Sequence, residues 1–396
     1  MTLSNPKQYY SRFLKGHEGK LHFAAHSHHF WPDVSREGHM AYWDDCALAS
    51  DEKWNKIFSE TIPKTQKHIA RILNLKHHEQ IALAPNTHEL STRLLSLFLG
   101  RPELKILTTT NEFHSWRRQF LRLSELPQVK IHQIDSNDFL NQRESVLSNL
   151  KTELAKNYDL IFLSQVFFDS GCALTDAEVQ SLLEATPDST LFVLDGYHGF
   201  GAIPCDLSAI EGRVFYLSGG YKYAQAGEGV GFMVVPQGDW RPANTGWFAE
   251  YAQLTQATGK LVGYAPDAMA FMGATQDPSG FYRFNAIWDH FEANGINVQS
   301  IHQYVLALQK SFITNLPSSF LKAWSLKPLF KESLAWHGHF LTFEAPTLEA
   351  AEECQEKLSI SNILIDRRGA RIRFGFGLYQ SESDVKELTE RLKKMA

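Results

Sequence analysis

The sequence predicts an α/β fold, with a large domain built on a mainly parallel sheet and a small α+β domain at the C-terminal end. Three observations carry that reading. From residue 81 onward, short apolar runs of the kind buried on both faces alternate with stretches of helix length. Several of those runs end abruptly in polar residues and glycines, as strands do where an open sheet offers a crevice at its carboxyl edge. After GVGFMVVP the alternation stops, and the C-terminal part returns to short strands and helices in another pattern. The expected division is an N-terminal arm packing with the small domain (1–50), a large domain (51–285) and a small domain (286–396).

Each element follows from local pattern. Residues 4–15 form a short helix stopped by Gly16, and LHFAA is a small strand entering the turn AHSHHFWPD. Asp33 caps a helix through Tyr42, and DEKWNKIF opens another through Ile72. IALAP is a strand, from which Asn86, Thr87, His88 and Glu89 lead into the helix LSTRLLSLFL. Such a strand-to-helix turn is a natural anion seat, because free N–H groups and the helix dipole point at the ligand, though it also suits a plain N-cap. KILTTTNEF is a strand ending at Phe113, followed by a helix carrying Arg117 and Arg118. VKIHQID, a helix through Leu154, DLIFLSQVFF and the helix of GCALTDAEVQSLLEA continue the alternation. The segment from Arg241 to Gly280 is long, irregular and rich in glycine and aromatics, which in a compact domain signals a functional or interfacial stretch. Helices follow at about 281–294 and 297–315. HFLTFEA, the helix LEAAEECQEKL, the strands ILIDRR and ARIRFGFG, and a helix from SESDVKEL complete the small domain. Arg371 and Arg373 share one strand face, with Ile372 and Phe374 on the other, so either guanidinium is a candidate carboxylate anchor.

Composition removes whole classes of function. The 396 residues are 43% hydrophobic and 12% aromatic, enough for a substantial core, and the formal charge of −5 leaves no basic footprint for nucleic acid or an anionic membrane. Cys46, Cys172, Cys205 and Cys354 are scattered without a CxxC, so neither a disulfide framework nor a zinc ribbon is indicated. No apolar run approaches the ~20 residues of a membrane span, and the first twenty residues hold no signal-peptide core. A cytoplasmic protein without nucleic-acid or membrane partners is expected.

The chemistry concentrates in residues 191–235. LFVL ends in Asp195, Gly196, Tyr197 and His198, and VFYL ends in Ser218 and two glycines before Tyr221, Lys222 and Tyr223. An acid and a lysine at two strand ends suit pyridoxal phosphate: the lysine binds the cofactor covalently and the carboxylate keeps the pyridine nitrogen protonated. A lysine is far more often a solvated surface group, but one flanked by tyrosines and glycine clusters has no need of such company for solvation. The other oddity is the turn with His26, His28, His29 and nearby Asp33. Imidazoles close in sequence bind zinc, yet no HExxH or paired CxxC supports a metal.

DGYH, followed by YKY with 26 residues between Asp195 and Lys222, resembles the kynureninase branch of the class V, fold-type I pyridoxal-phosphate enzymes. That resemblance runs patchily over most of the chain. It implies that Lys222 holds the cofactor, Asp195 pairs with its ring nitrogen, His198 sits beside that carboxylate and Tyr221 reaches the phosphate. The NTHE turn matches the family's phosphate turn, implicating Thr87, His88 and Glu89. EFHS resembles A-F-P-S and places Phe113 over the ring; GWF matches the family's G-W-F, where Trp247, partnered by Thr275, serves the neighbouring subunit's phosphate. A homodimer with shared sites is implied. RIRFGFGLY selects Arg373 as the anchor of an amino-acid substrate's α-carboxylate, and Ser27 matches the serine of G-N-S-L-G, with His28 and His29 beside it. The sequence departs from the family at His26, His28 and His29, and at Trp116, which replaces an acid.

Three functions are therefore expected in order. The first is hydrolysis of the Cβ–Cγ bond of kynurenine, 3-hydroxykynurenine or a related β-acyl amino acid, with Lys222 and Tyr221 moving protons. The second keeps the cofactor but runs class V aminotransferase or β-lyase chemistry. The third is a metal-dependent hydrolase built on His26, His28 and His29. A desulfurase is disfavoured, because no cysteine lies in a convincing mobile loop.

Overall fold

A computed structural model describes residues 3–253 and 261–395. Residues 254–260 of the long irregular segment lie outside the described residues. β1 (Leu21–His22) stands apart from the main sheet, which contains β2 (Ile81–Ala84), β3 (Leu104–Thr109), β4 (Val129–Ile134), β5 (Leu160–Ser164), β6 (Leu191–Asp195), β7 (Val214–Gly219) and β8 (Gly231–Val234). The strand order is β2-β8-β7-β6-β5-β3-β4. Pairing from β7 through β4 is parallel, and β8 runs antiparallel to both neighbours. The fold is thus the α/β, mainly parallel architecture expected.

Why these segments are strands is visible in their burial. Every residue of β5 and β7 is buried, as in strands covered by helices on both faces, whereas β4 at the sheet edge is half exposed. The connecting helices begin at side-chain caps. Asn86 accepts the Glu89 amide at 3.0 Å, and Thr175 exchanges hydrogen bonds with Glu178 in a capping box.

The C-terminal part adds β9 (Lys327–Pro328), β10 (Phe340–Glu344), β11 (Ile363–Leu364), β12 (Asp366–Arg368) and β13 (Arg371–Gly375). β12, β13, β10 and β9 form an antiparallel sheet, while β11 pairs in parallel with β1. ILIDRR, expected as one strand, is therefore two. Ile363 and Leu364 serve the N-terminal arm, and Asp366 turns into the hairpin with β13. Lys7 adds a 2.7 Å ion pair to Asp384 from the same arm.

Two apolar cores are separate. One packs around the main sheet, reaches Ile301 and takes in Leu378 and Tyr379; the other gathers Val305, Phe312, Phe343, Ile372 and Phe374, so the helix Val298–Asn315 contributes to both. Among the described residues, no helix is long and apolar enough to cross a membrane.

Candidate active site

The carboxyl ends of β3, β5, β6 and β7 face a cavity of about 850 Å³. Lys222 and Asp195 both line it, together with His198, Tyr221, Phe113, Thr87 and His88 from the residues singled out by sequence. The topology brings the lysine and the acid together because β6 and β7 are neighbours and run parallel.

Lys222 is buried, its Nζ 2.6 Å from His198 Nε2 and 5.2 Å from the ring centroids of both Phe113 and Tyr197. Burial, reinforced by the Arg373 cation, lowers its pKa to about 7. Burial and then the Lys222 charge hold His198 well below its ordinary value, so a neutral imidazole accepts from the lysine. Asp195 Oδ1 accepts the Tyr197 amide at 2.9 Å. Burial raises this carboxyl to about 6, against the opposing pull of that hydrogen bond and of Lys222. A carboxyl whose pKa burial raises in this way gains from binding a further cationic group.

The helix Thr87–Ser96 aims its N-terminus at the same space. Asn86 takes the Glu89 amide, leaving the first amides at the cavity mouth. The turn is seated by close backbone approach: a Cβ on Gly231 would lie 2.4 Å from the Asn86 carbonyl carbon. Glu89 turns its carboxylate away, to Arg93 at 2.9 Å, and does not line the cavity.

The other expected residues are placed differently. Tyr221 hydrogen-bonds His28 Nδ1, and the two share a neighbouring groove of about 950 Å³ with His29. His29 is buried with Nδ1 2.6 Å from the Phe30 carbonyl, and the Ser27 amide donates to Ala24 at 2.9 Å. Trp247 Nε1 donates to Thr275 Oγ1 at 3.2 Å, outside this cavity, with Trp247 39% exposed. Arg373 is also outside the cavity wall, its guanidinium bonded to Asp366 and to the Phe168 carbonyl and covered by the Phe168 ring. Arg371 pairs with Asp169 instead. The histidine turn does not gather as ligands: His26 stacks on Phe340, and among the described residues no three His, Cys, Asp or Glu side chains are placed to hold a metal.

Sequence reasoning missed Ser164 and Phe168, which line the cavity, and placed Tyr197 in the strand-end cluster without giving it a role. Ser164 carried a usable signal, since it ends the apolar run DLIFLS just as Asp195 ends LFVLD. Phe168 carried none, because an aromatic beside a strand end is usually core.

Fold and site together define an α/β protein of fold-type I pyridoxal-phosphate transferase architecture. More narrowly, the chain belongs to the class-V aminotransferase family, whose family model matches residues 34–326 and whose cofactor is pyridoxal phosphate. The fold is shared with solved structures of low identity. A lysine-to-alanine mutant of C-DES, with glycine covalently linked to its pyridoxal-phosphate cofactor, is 18% identical with a TM-score of 0.81 over 98% of each chain. A cysteine desulfurase from Thermococcus onnurineus NA1 is 16% identical with a TM-score of 0.80, covering 100% of this chain and 99% of that one. The cysteine desulfurase CsdA from Escherichia coli is 14% identical with a TM-score of 0.76, covering 99% of this chain and 98% of its own. No curated protein matches. These comparisons support the class-V family and not the kynureninase branch within it, so the sequence resemblance was drawn one level too fine.

The site fits the family's cofactor on structural grounds. A buried amine and an acid whose pKa burial raises to about 6 face one cavity, with an aromatic ring beside the amine and a helix N-terminus at the mouth.

Proposed function

We propose that this chain is a pyridoxal-phosphate enzyme acting at the α-amino group of a small amino compound, as an aminotransferase or a lyase. One observation carries the reading: Lys222 offers a buried, easily deprotonated amine to the cavity that Asp195 closes from the next strand. The family cofactor, when bound, supplies an electron sink for bonds at the substrate's α-carbon. The residues of the chain do the rest. Asp195 would hold the ring cation, Phe113 would supply an aromatic face for the ring, and Thr87 and His88 would present helix amides to the phosphate. With that cofactor bound, Lys222 would carry protons at Nζ, with the neutral His198 Nε2 as its hydrogen-bond acceptor. Tyr221, tied to His28, lines the same cavity as a second proton donor.

The structural neighbours include a cystine C-S lyase as well as cysteine desulfurases, which favours lyase chemistry among the options. None of the four cysteines lines the cavity, and Cys172, Cys205 and Cys354 are buried, which disfavours a thiol acceptor in this chain. Kynurenine-type Cβ–Cγ hydrolysis is the narrower alternative, favoured by the hydrogen bond between Trp247 and Thr275, the two residues paired by the resemblance to that branch. That exposed pair also motivates a homodimer in which each chain completes its partner's site. Four unpaired cysteines agree with a reducing cytoplasm.

The test begins with a visible spectrum of protein loaded with pyridoxal phosphate. A yellow band abolished by borohydride, with the label recovered on the Lys222 peptide, supports the reading; a colourless protein overturns it. Pyruvate from cystine, oxo-acid formation with an amino acceptor, and anthranilate from kynurenine then separate lyase, aminotransferase and hydrolase.

A further inference from the structure

Glu112 is a charged residue type with no water to face: it is fully buried in the turn between β3 and the helix His114–Ser124. Thr109 Oγ1, at the end of β3, donates to its Oε1 at 2.7 Å. Its Oε2 lies 2.5 Å from Ser164 Oγ at the end of β5. Ser164 in turn lines the cavity and is the register partner of Asp195 on β6, so both side chains leave the sheet on the same side. Glu112 thereby joins the ends of β3 and β5, and Ser164, its partner on β5, stands beside Asp195 in the sheet register.

We propose that Glu112 is a positioning residue for Asp195, acting through Ser164 by deciding where the Ser164 hydroxyl hydrogen points. This rests on the function proposed above. A serine hydroxyl has one hydrogen. If Glu112 is ionised, that hydrogen is drawn to Oε2 and away from Asp195. If Glu112 is the neutral acid, it donates to Ser164 Oγ while still accepting from Thr109, and the serine hydrogen is free for the cavity side, where Asp195 lies. Neighbouring carboxylates repel, which disfavours ionising both. The neutral one is Glu112: burial raises its pKa to about 8, with the Asp195 charge adding to it, whereas Asp195 is raised to about 6. Asp195 is the titratable neighbour whose charge reaches Glu112; Thr109 and Ser164 supply its remaining polar contacts. The arrangement keeps a donor on the acid that must stay ionised.

Holoenzyme carrying Glu112→Ala, Glu112→Gln, Ser164→Ala and the Glu112→Ala/Ser164→Ala pair tests this. The pH midpoint of the visible cofactor band should move by about one unit in Glu112→Ala and in Ser164→Ala, a tenfold change in the proton equilibrium. The double variant should move no further than either single, because both break one chain. Glu112→Gln should restore the wild-type midpoint, since its amide can donate to Ser164 and accept from Thr109. Infrared spectra add a readout independent of the cofactor. Wild type should show a protonated carboxyl C=O stretch at pH 7 that Glu112→Gln removes and Ser164→Ala shifts. Ser164→Ala behaving as wild type, additive shifts, or no carboxyl stretch at pH 7 would each overturn the proposal. If Glu112→Ala does not fold, Ser164→Ala and the glutamine variant carry the test. If no borohydride-sensitive band forms, the proposed function fails, and the infrared spectra alone decide the Glu112–Ser164 link.

Discussion

At the scale of single residues, the site runs on burial. Lys222 is an ordinary lysine whose surroundings remove water and place a cation nearby, and both effects favour the neutral amine. The sign is checkable. A lowered folded pKa of about 7 means the amine is mostly protonated at pH 6 and mostly free at pH 8, so cofactor attachment should accelerate ~10-fold between those values and then level off. Stopped-flow absorbance on mixing apoprotein with pyridoxal phosphate measures it, and a lysine of ordinary pKa would keep accelerating past pH 9. Asp195 and Lys222 were legible in the sequence because each closes its own strand run. Glu112 was not, since its meaning depends on Ser164, a residue of another strand 52 positions away.

At the scale of elements, register decides what pairs. Asp366 and Arg373 are directly opposed in the β12–β13 hairpin, and their ion pair is buried. The sequence showed that Arg371 and Arg373 share a face but not that an acid seven residues earlier neutralises one of them. Asp366→Ala leaves a buried guanidinium without its anion and should cost about 3–5 kcal/mol in urea unfolding. Asp366 is held below the usual carboxylate range, with burial opposing and the His26 contact and Arg373 cation lowering it. Its stabilisation is therefore complete above about pH 4, the unfolded carboxylate value, and drains as the pH falls further. In Asp366→Ala that acid-side loss should shrink. The β8 contact makes a second case. Gly231→Ala pushes a methyl into the Asn86 backbone, so the helix N-terminus must shift, and cofactor retention should fall by about 10-fold while the sheet persists. Equilibrium dialysis against pyridoxal phosphate checks it; unchanged retention would detach the Asn86 turn from cofactor binding.

At the scale of the whole molecule, Trp247 and Thr275 stand exposed beyond their own cavity. If they complete a second chain's site, Trp247→Ala should weaken cofactor retention at least several-fold and do so more strongly on dilution. Sedimentation equilibrium beside dialysis separates the outcomes: a monomeric wild type with full retention would remove the shared-site reading. The N-terminal arm belongs to the same scale. Its strand pairs with β11 and its Lys7 with Asp384, contacts spanning almost the whole chain.

By itself the sequence determined the α/β class, the seats of Asp195 and Lys222, the helix-opening turn at Asn86 and Phe113 beside it. These are local facts, because a strand of period two and a capped helix announce themselves within a dozen residues. Only the tertiary structure decided which polar groups meet: His198 on Lys222, Glu112 on Ser164, Asp366 on Arg373, and Phe168 over that arginine. Those contacts arise from strand order and register, which join residues far apart in the chain, and from dehydration, which turns ordinary side chains into titrating ones near neutral pH.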